Sequence, residues 1–366
     1  MVLSYSPWND VTIRQLRVVR GLSVNTLPNP RAPARRSRRC FMAVLALALS
    51  AVTAPFGGAG AAQKDQAGDK IVISGASGAL ASETVRALLE RGVKLADLVL
   101  VTRTPEKLSS FSTNGAAVRM GDFDRPETLE PAFAGGRELL LVSTNSDGDR
   151  AAQHANAIMA ARKAGIRHIV YTSFVNPTTD NPALIAHDHQ LTEAALMKSG
   201  VRYTILRNQL YMDPLLDEAA AAIRTGDLYT NAGRGKWAPV ARRDCAEAAA
   251  IVLTTVGHEG KIYDITGPEL INHQDFAKLV DEVTGKRVRV IDVDDATFMG
   301  RAMRAGMPAA LAKLNASFGV AMRANSLNMR NEALQILLGR KPESVREMLL
   351  EHKARLLSVN PQPRAN

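Results

Sequence analysis

From Lys70 onward, short β-branched apolar strings alternate with alanine- and leucine-rich stretches of helical period. The strings at 71–74, 98–102, 117–120, 139–143, 168–172 and 203–206 predict strands, and the stretches near 80–91, 126–134, 149–164 and 187–199 predict helices between them. Strands that read as continuous apolar runs are buried on both faces, the condition of a parallel sheet covered by helices on each side. Right-handed crossovers then give an α/β fold with a doubly wound parallel sheet. Beyond Arg207 the regularity loosens. Asp244 to Glu247 and Ser344 to Glu347 have the spacing of capping boxes, 261–266 reads as a returning strand, and the last hundred residues look mainly helical. The expected organisation is a leader over 1–62, a sheet domain over 63–208 and a smaller, mainly helical C-terminal lobe over 209–366.

The leader has its own pattern. Arg35-Arg36-Ser37-Arg38-Arg39 precedes an apolar run from Phe41 to Val52, then small residues ending at Ala62. Charged, apolar and small segments in that order read as an export signal. A dozen apolar residues fall short of the roughly 20 that a spanning helix needs, so no permanent membrane span is expected. Ser37 to Met42 resembles the twin-arginine signal, which routes folded proteins across the bacterial inner membrane, although Ala43 stands where that pattern usually has Lys. The expected location is therefore the periplasm, the alternative being the cytoplasm if the signal is unused. Cleavage near Ala62 would leave Cys245 as the single thiol, so no disulfide is expected.

Charge changes the picture only there. The 366 residues carry a formal +10, but residues 1–62 hold eight Arg, no Lys and one acid, which leaves +3 for all the rest. That is no electrostatic footprint for a polyanion, and nucleic acid is excluded as a partner. With 46% hydrophobic residues the chain suits an ordinary globular protein, and a homo-oligomer is compatible with it.

The strongest chemical signal is the first strand-to-helix turn, Gly75-Ala-Ser-Gly78-Ala-Leu-Ala81. Glycines sit where the chain must leave a strand, turn sharply and open a helix whose free N–H groups can face a pyrophosphate. The end of the second strand selects among dinucleotides. Where an Asp or Glu would bind the ribose hydroxyls of NAD, this chain has Thr102 followed by Arg103. A guanidinium there pairs with the 2′-phosphate of NADP, and Lys107 reinforces it one helical turn on. A charge-assisted contact worth about 1.5 to 3 kcal/mol corresponds to roughly ten- to a hundredfold preference for NADPH over NADH. Asp122, after the third strand, is placed either to meet the adenine edge or to cap the next helix. Ser77, Ser143 and Ser173, on the turn and at the carboxyl ends of later strands, complete the candidate cofactor set.

These residues, with 101–105, Asp124, Tyr171 to Ser173, Leu206 to Asn208, Tyr211, Gly235-Lys236, Arg243 to Ala248, Glu259 to Lys261 and Tyr263, come in the order seen in NmrA-like proteins. The chain resembles these atypical short-chain dehydrogenases over roughly residues 70–355, and is most similar to their NAD(P)H:quinone oxidoreductase branch. The resemblance implies a Rossmann domain binding NADP through Gly75, Ala76, Gly78, Ala79, Leu80 and Arg103, with the C-terminal lobe as a substrate cover.

Catalysis departs from the superfamily's habit. Four residues after Tyr171, Tyr203, Tyr211, Tyr229 and Tyr263 stand Val175, Arg207, Leu215, Gly233 and Gly267, so the usual Tyr-x-x-x-Lys proton relay is missing. Reduction of an ordinary carbonyl is disfavoured. Hydride delivery to a quinone or another electron-poor acceptor asks less, because the product anion is stabilised by its own ring; orientation and a few polar groups suffice. Candidates for those groups are Asn208 and Tyr211, after the sixth strand, with Ser173, Phe174 and Asn176 at the neighbouring strand end. In the look-alikes Gly follows that Asn; Gln209 here re-aims or narrows the pocket.

His187, His189 and Glu193 invite a metal reading, but i and i+2 on a helix diverge by about 200° and no third ligand has suitable spacing, so no metal is expected. His189 can act as a proton donor near neutral pH, or simply pack. The look-alikes place Lys after this Glu, whereas Ala194 stands here. Two functions follow: an NAD(P)H-dependent reductase of a small-molecule acceptor such as a quinone, or a non-enzymatic NADP-binding sensor.

Overall fold

The computed structural model describes residues 70–144 and 149–358; the leader and its twin-arginine pattern lie outside them. The chain opens as β1 (Lys70–Ile73), α1 (Ala79–Glu90), β2 (Leu98–Thr102), α2 (Ser109–Thr113), β3 (Ala117–Met120), α3 (Leu129–Phe133) and β4 (Gly136–Leu141). It continues through α4 (Arg150–Lys163), β5 (His168–Phe174), α5 (Ala186–Lys198), β6 (Arg202–Asn208), α6 (Leu215–Thr225), β7 (Asp227–Thr230), α7 (Arg242–Thr254) and β8 (Ile262–Ile265). The rest comprises α8 (His273–Thr284), β9 (Arg289–Asp292), α9 (Asp295–Arg304), α10 (Ala309–Arg323), α11 (Ala333–Leu338), α12 (Val345–Glu351) and α13 (Lys353–Leu357).

Seven parallel strands form one sheet in the order β3-β2-β1-β4-β5-β6-β8. The order reverses between β1 and β4, the point at which open α/β sheets leave a crevice at their carboxyl edge. All five residues of β2 and all seven of β5 are buried, as a sheet covered on both faces demands. On one face Val72, Val99, Leu139, Ile169 and Ile205 pack against Phe133, Ala157 and Leu196 from α3, α4 and α5.

The boundary expected at 208 is crossed twice. β8, the returning strand, joins the sheet beside β6, and α7 packs on α1, with Arg91 Nε donating to Thr254 Oγ1 at 2.9 Å. The remaining lobe has its own core around Trp237, Phe276 and Met212. It also contains a two-stranded parallel sheet, β7 with β9, that the sequence pattern missed because each strand is only four residues long.

The capping box at Ser344 and Glu347 forms. The one expected at Asp244 does not, because α7 starts at Arg242 and the buried Asp244 carboxylate instead takes Arg340 at 2.7 Å and the Glu343 N–H at 2.7 Å. β4 ends at Leu141, so the expected strand residue Ser143 lies beyond the ladder.

Candidate active site

β1 runs out at Ile73, and Ser74 keeps one more ladder contact, its N–H donating to Leu140 O at 3.0 Å. Gly75 then turns at φ +59°, a region that side chains avoid, and the buried Ala76 donates its N–H to Val101 O at 3.0 Å, which folds the turn back onto β2. Gly78 is the N-cap of α1 and supplies no side-chain cap. The N–H groups of Ala79, Leu80 and Ala81 therefore have no acceptor within the helix, and these residues face a cleft of about 490 Å³. Orphan donors and the positive end of the helix dipole together make an anion cradle. Ser77 anchors its wall, its hydroxyl 2.9 Å from that of Thr102.

At the next strand ends, Arg103 lines the cleft, is exposed, and makes no hydrogen bond or ion pair among the described residues. A free guanidinium beside an anion cradle fits a second phosphate. Lys107 is also exposed but stands outside the lining, so it contributes field rather than contact. Gly121 is required on steric grounds, since a Cβ would lie 2.5 Å from Val101 Cγ1. Asp122 lines the cleft and caps no helix; its carboxylate accepts from Asp124 N–H at 3.2 Å and faces Arg125 at 3.5 Å.

The opposite wall is built differently. Val142, Ser143 and Thr144 extend β4 into the cleft, and each N–H goes to a side chain: Ser74 Oγ at 2.9 Å, Thr172 Oγ1 at 3.0 Å and His154 Nε2 at 3.1 Å. Tyr211 lines the same end, with the Arg242 guanidinium 5.3 Å from its ring centre and Arg242 held by Asp213 at 3.1 Å. Asn208 Nδ2 donates to the Tyr211 hydroxyl at 3.2 Å, and Asn208 Oδ1 is buried without a partner. Burial raises the Tyr211 pKa well above the usual phenol value, so the hydroxyl stays protonated and its O–H remains free to donate.

Three candidates are corrected. Ala76 is buried and absent from the cleft lining, and its N–H is already spent on Val101 O. His189 is not in the lining; it is buried with Nδ1 2.7 Å from Tyr171 OH, and burial, with His154 and Arg150 beside it, drives its pKa well below the usual value. It faces Tyr171 rather than the cleft, so it is not placed to donate a proton to an acceptor there. Ser173 is also out of the cleft, because its hydroxyl donates to Glu193 Oε1 at 2.6 Å and that carboxylate is gripped by Arg207 at 2.6 and 2.9 Å. Asn176 and Gln209 likewise point elsewhere, donating to Ser326 O and Leu327 O at 3.1 Å each. Sequence reasoning missed Asp124, Thr144, Gln153 and Arg242 in the lining. The signal for Gln153 was present, as one of three polar residues at i, i+3 and i+4 opening the otherwise alanine-rich α4.

Residues 75–255 match the NAD(P)H-binding family. Quinone oxidoreductase 2 of Escherichia coli is 34% identical over 290 residues, covering 79% of this chain and 99% of that protein. The crystal structure of the NADPH-dependent quinone oxidoreductase complexed with NADPH from Escherichia coli superposes with a TM-score of 0.73 at 34% identity, over 77% of this chain and 99% of that one. The triphenylmethane reductase of Citrobacter sp., complexed with NADP(H), gives 0.73 at 32% identity, over 78% and 99%.

Proposed function

The chain belongs to the NAD(P)H-binding family of NmrA-like oxidoreductases, and on that premise we propose that it is an NADPH-dependent reductase delivering hydride to a quinone or another electron-poor planar acceptor. The observation that carries this reading is a single cleft joining an anion cradle and a free guanidinium to an acceptor end whose one phenol, Tyr211, stays protonated.

NADPH, when bound, supplies the hydride. The Ala79–Ala81 amides would hold its pyrophosphate and Arg103 its 2′-phosphate, and the extended 142–144 segment would support its other half. Tyr211 donates its O–H to the acceptor oxygen, and Asn208 fixes the direction of that bond by occupying the phenol's lone pair. Tyr171 is sealed inside the protein with its pKa raised by burial, so it is not placed to drive proton transfer to an ordinary carbonyl in the cleft. A quinone suits this arrangement because its reduced form carries the charge in its own ring, and solvent can complete protonation after release.

Oxidation of NADPH and NADH by the purified protein, measured against quinones, azo dyes and aldehydes, tests the assignment. Turnover of quinones with NADPH preferred is the expected result. Aldehyde reduction with none of quinones would reject it, and tight NADPH binding without turnover of any acceptor would favour the sensor.

The leader supports a second proposal, export of the folded protein to the periplasm through Arg38-Arg39 and the apolar run after it. Exchange of both for Lys should abolish the periplasmic fraction of the full chain, and an unchanged distribution would reject the route. On this route the cofactor would be bound before transport and held tightly, and a mature protein emptied of nucleotide by simple dialysis would argue against that.

A further inference from the structure

Three side chains of the first turns of α4 converge on Thr144, each taking a different group. Arg150 Nε donates to its carbonyl at 2.8 Å, its hydroxyl donates to Gln153 Oε1 at 2.8 Å, and its N–H donates to His154 Nε2 at 3.1 Å. Every polar group of Thr144 is thus held from one helix. Behind them the grip continues inward: Arg150 pairs with Asp188 at 3.0 Å, and His154 Nδ1 lies 2.9 Å from Thr192 Oγ1, whose own O–H goes to Asp188 O at 2.8 Å.

These contacts fix the tautomer of His154. Nε2 accepts from an amide and so carries no proton. The Thr192 hydroxyl has spent its proton on a carbonyl, so Nδ1 must be the N–H that donates to it. Burial first, then Arg150, hold the His154 pKa down at about 3, and the ring is fully buried, so it offers a permanent acceptor to Thr144.

The location gives this clasp a purpose. β4 is the next strand in the sheet after β1, and 142–144 lines the same cleft as the anion cradle and Arg103, so on the nucleotide-binding reading the reacting half of the nucleotide would lie against it. Gln153 also reaches across the cleft floor, its Nε2 donating to Asp124 Oδ1 at 2.8 Å. We propose that His154, with Arg150 and Gln153, is a positioning residue that fixes the height of the 142–144 segment and so the geometry of hydride transfer. This rests on the nucleotide-binding reading above.

The test compares His154→Leu, which removes the acceptor, with His154→Gln, which restores one. Two readouts are taken: the exchange rate of the Thr144 amide in nucleotide-free protein, and kcat for NADPH oxidation by menadione alongside the NADPH Kd. For His154→Leu the expected result is amide exchange at least about tenfold faster and a kcat about tenfold lower, with Kd changed less than about threefold. His154→Gln should recover most of both. Thr144→Val, which removes only the hydroxyl link, should lower kcat by about threefold with Kd unchanged, and it serves if the leucine variant fails to fold. The proposal is overturned if Leu and Gln behave alike, or if the wild-type amide exchanges as fast as an exposed one. A wild type that binds neither nucleotide overturns the underlying reading as well. A wild type that binds and turns over, with His154→Leu and Thr144→Val both indistinguishable from it, overturns this one alone.

Discussion

The two walls of the cleft do comparable work by opposite means. The wall at β1 and β2 is mainly backbone, a left-handed glycine and a helix start without a side-chain cap, with Arg103 at the rim making no hydrogen bond or ion pair among the described residues. The wall at β4 and β6 is made of side chains held by other side chains, with Thr144 held from α4 and Tyr211 held by Arg242 and by Asn208 behind it. Backbone donors cannot be mutated away and tolerate little local change. A side-chain lattice can be retuned one residue at a time, which suits the end of the cleft that must fit an acceptor.

The sharpest way to break the contrast is at the first wall. Gly75→Val forces a β-branched residue to φ +59°, and NADPH affinity measured by calorimetry should fall by more than about a hundredfold. Arg103→Asp should cost roughly ten- to a hundredfold in NADPH affinity while leaving NADH nearly untouched. An unchanged NADPH/NADH ratio would remove Arg103 from its role. On the second wall, Tyr211→Phe should lower kcat for quinones by about tenfold without altering NADPH binding, because only the bond to the acceptor oxygen is lost.

The smallest effect concerns pH. His154 has a depressed folded-state pKa, so its neutral form contributes stability that is present above the unfolded pKa of about 6.5 and lost as pH falls towards about 3. Urea unfolding at pH 6.5 and 5.5 should show His154→Gln losing about 1 kcal/mol less than the wild type across that interval. Equal losses would mean that His154 takes up a proton in the folded protein.

The same contrast explains what could be read in the sequence. Gly75, Gly78 and Arg103 are legible because the backbone turn needs specific residue types at fixed spacing, and the strands are legible because both faces are apolar. Ser173 and His189 misled because position at a strand end does not say which way a side chain points, and both point into the Glu193 and Tyr171 clusters. Thr144 and Arg242 were invisible for the same reason in reverse: their placement depends on partners far along the chain, such as Asp213 for Arg242. Tyr211 was legible from the strand end before it and from the resemblance, and it lines the cleft, whereas Asn208 stands behind it, donating to its hydroxyl.

β8 bears on how this molecule can be taken apart. Its four residues are the outermost rung of the sheet, yet they are encoded after α6, β7 and α7. A fragment stopped after Asn208 would bare the flank of β6, an adhesive surface open to fibril-like self-association. Exchanging acceptor lobes between relatives must therefore splice at two seams, on either side of the 242–265 stretch, rather than at one.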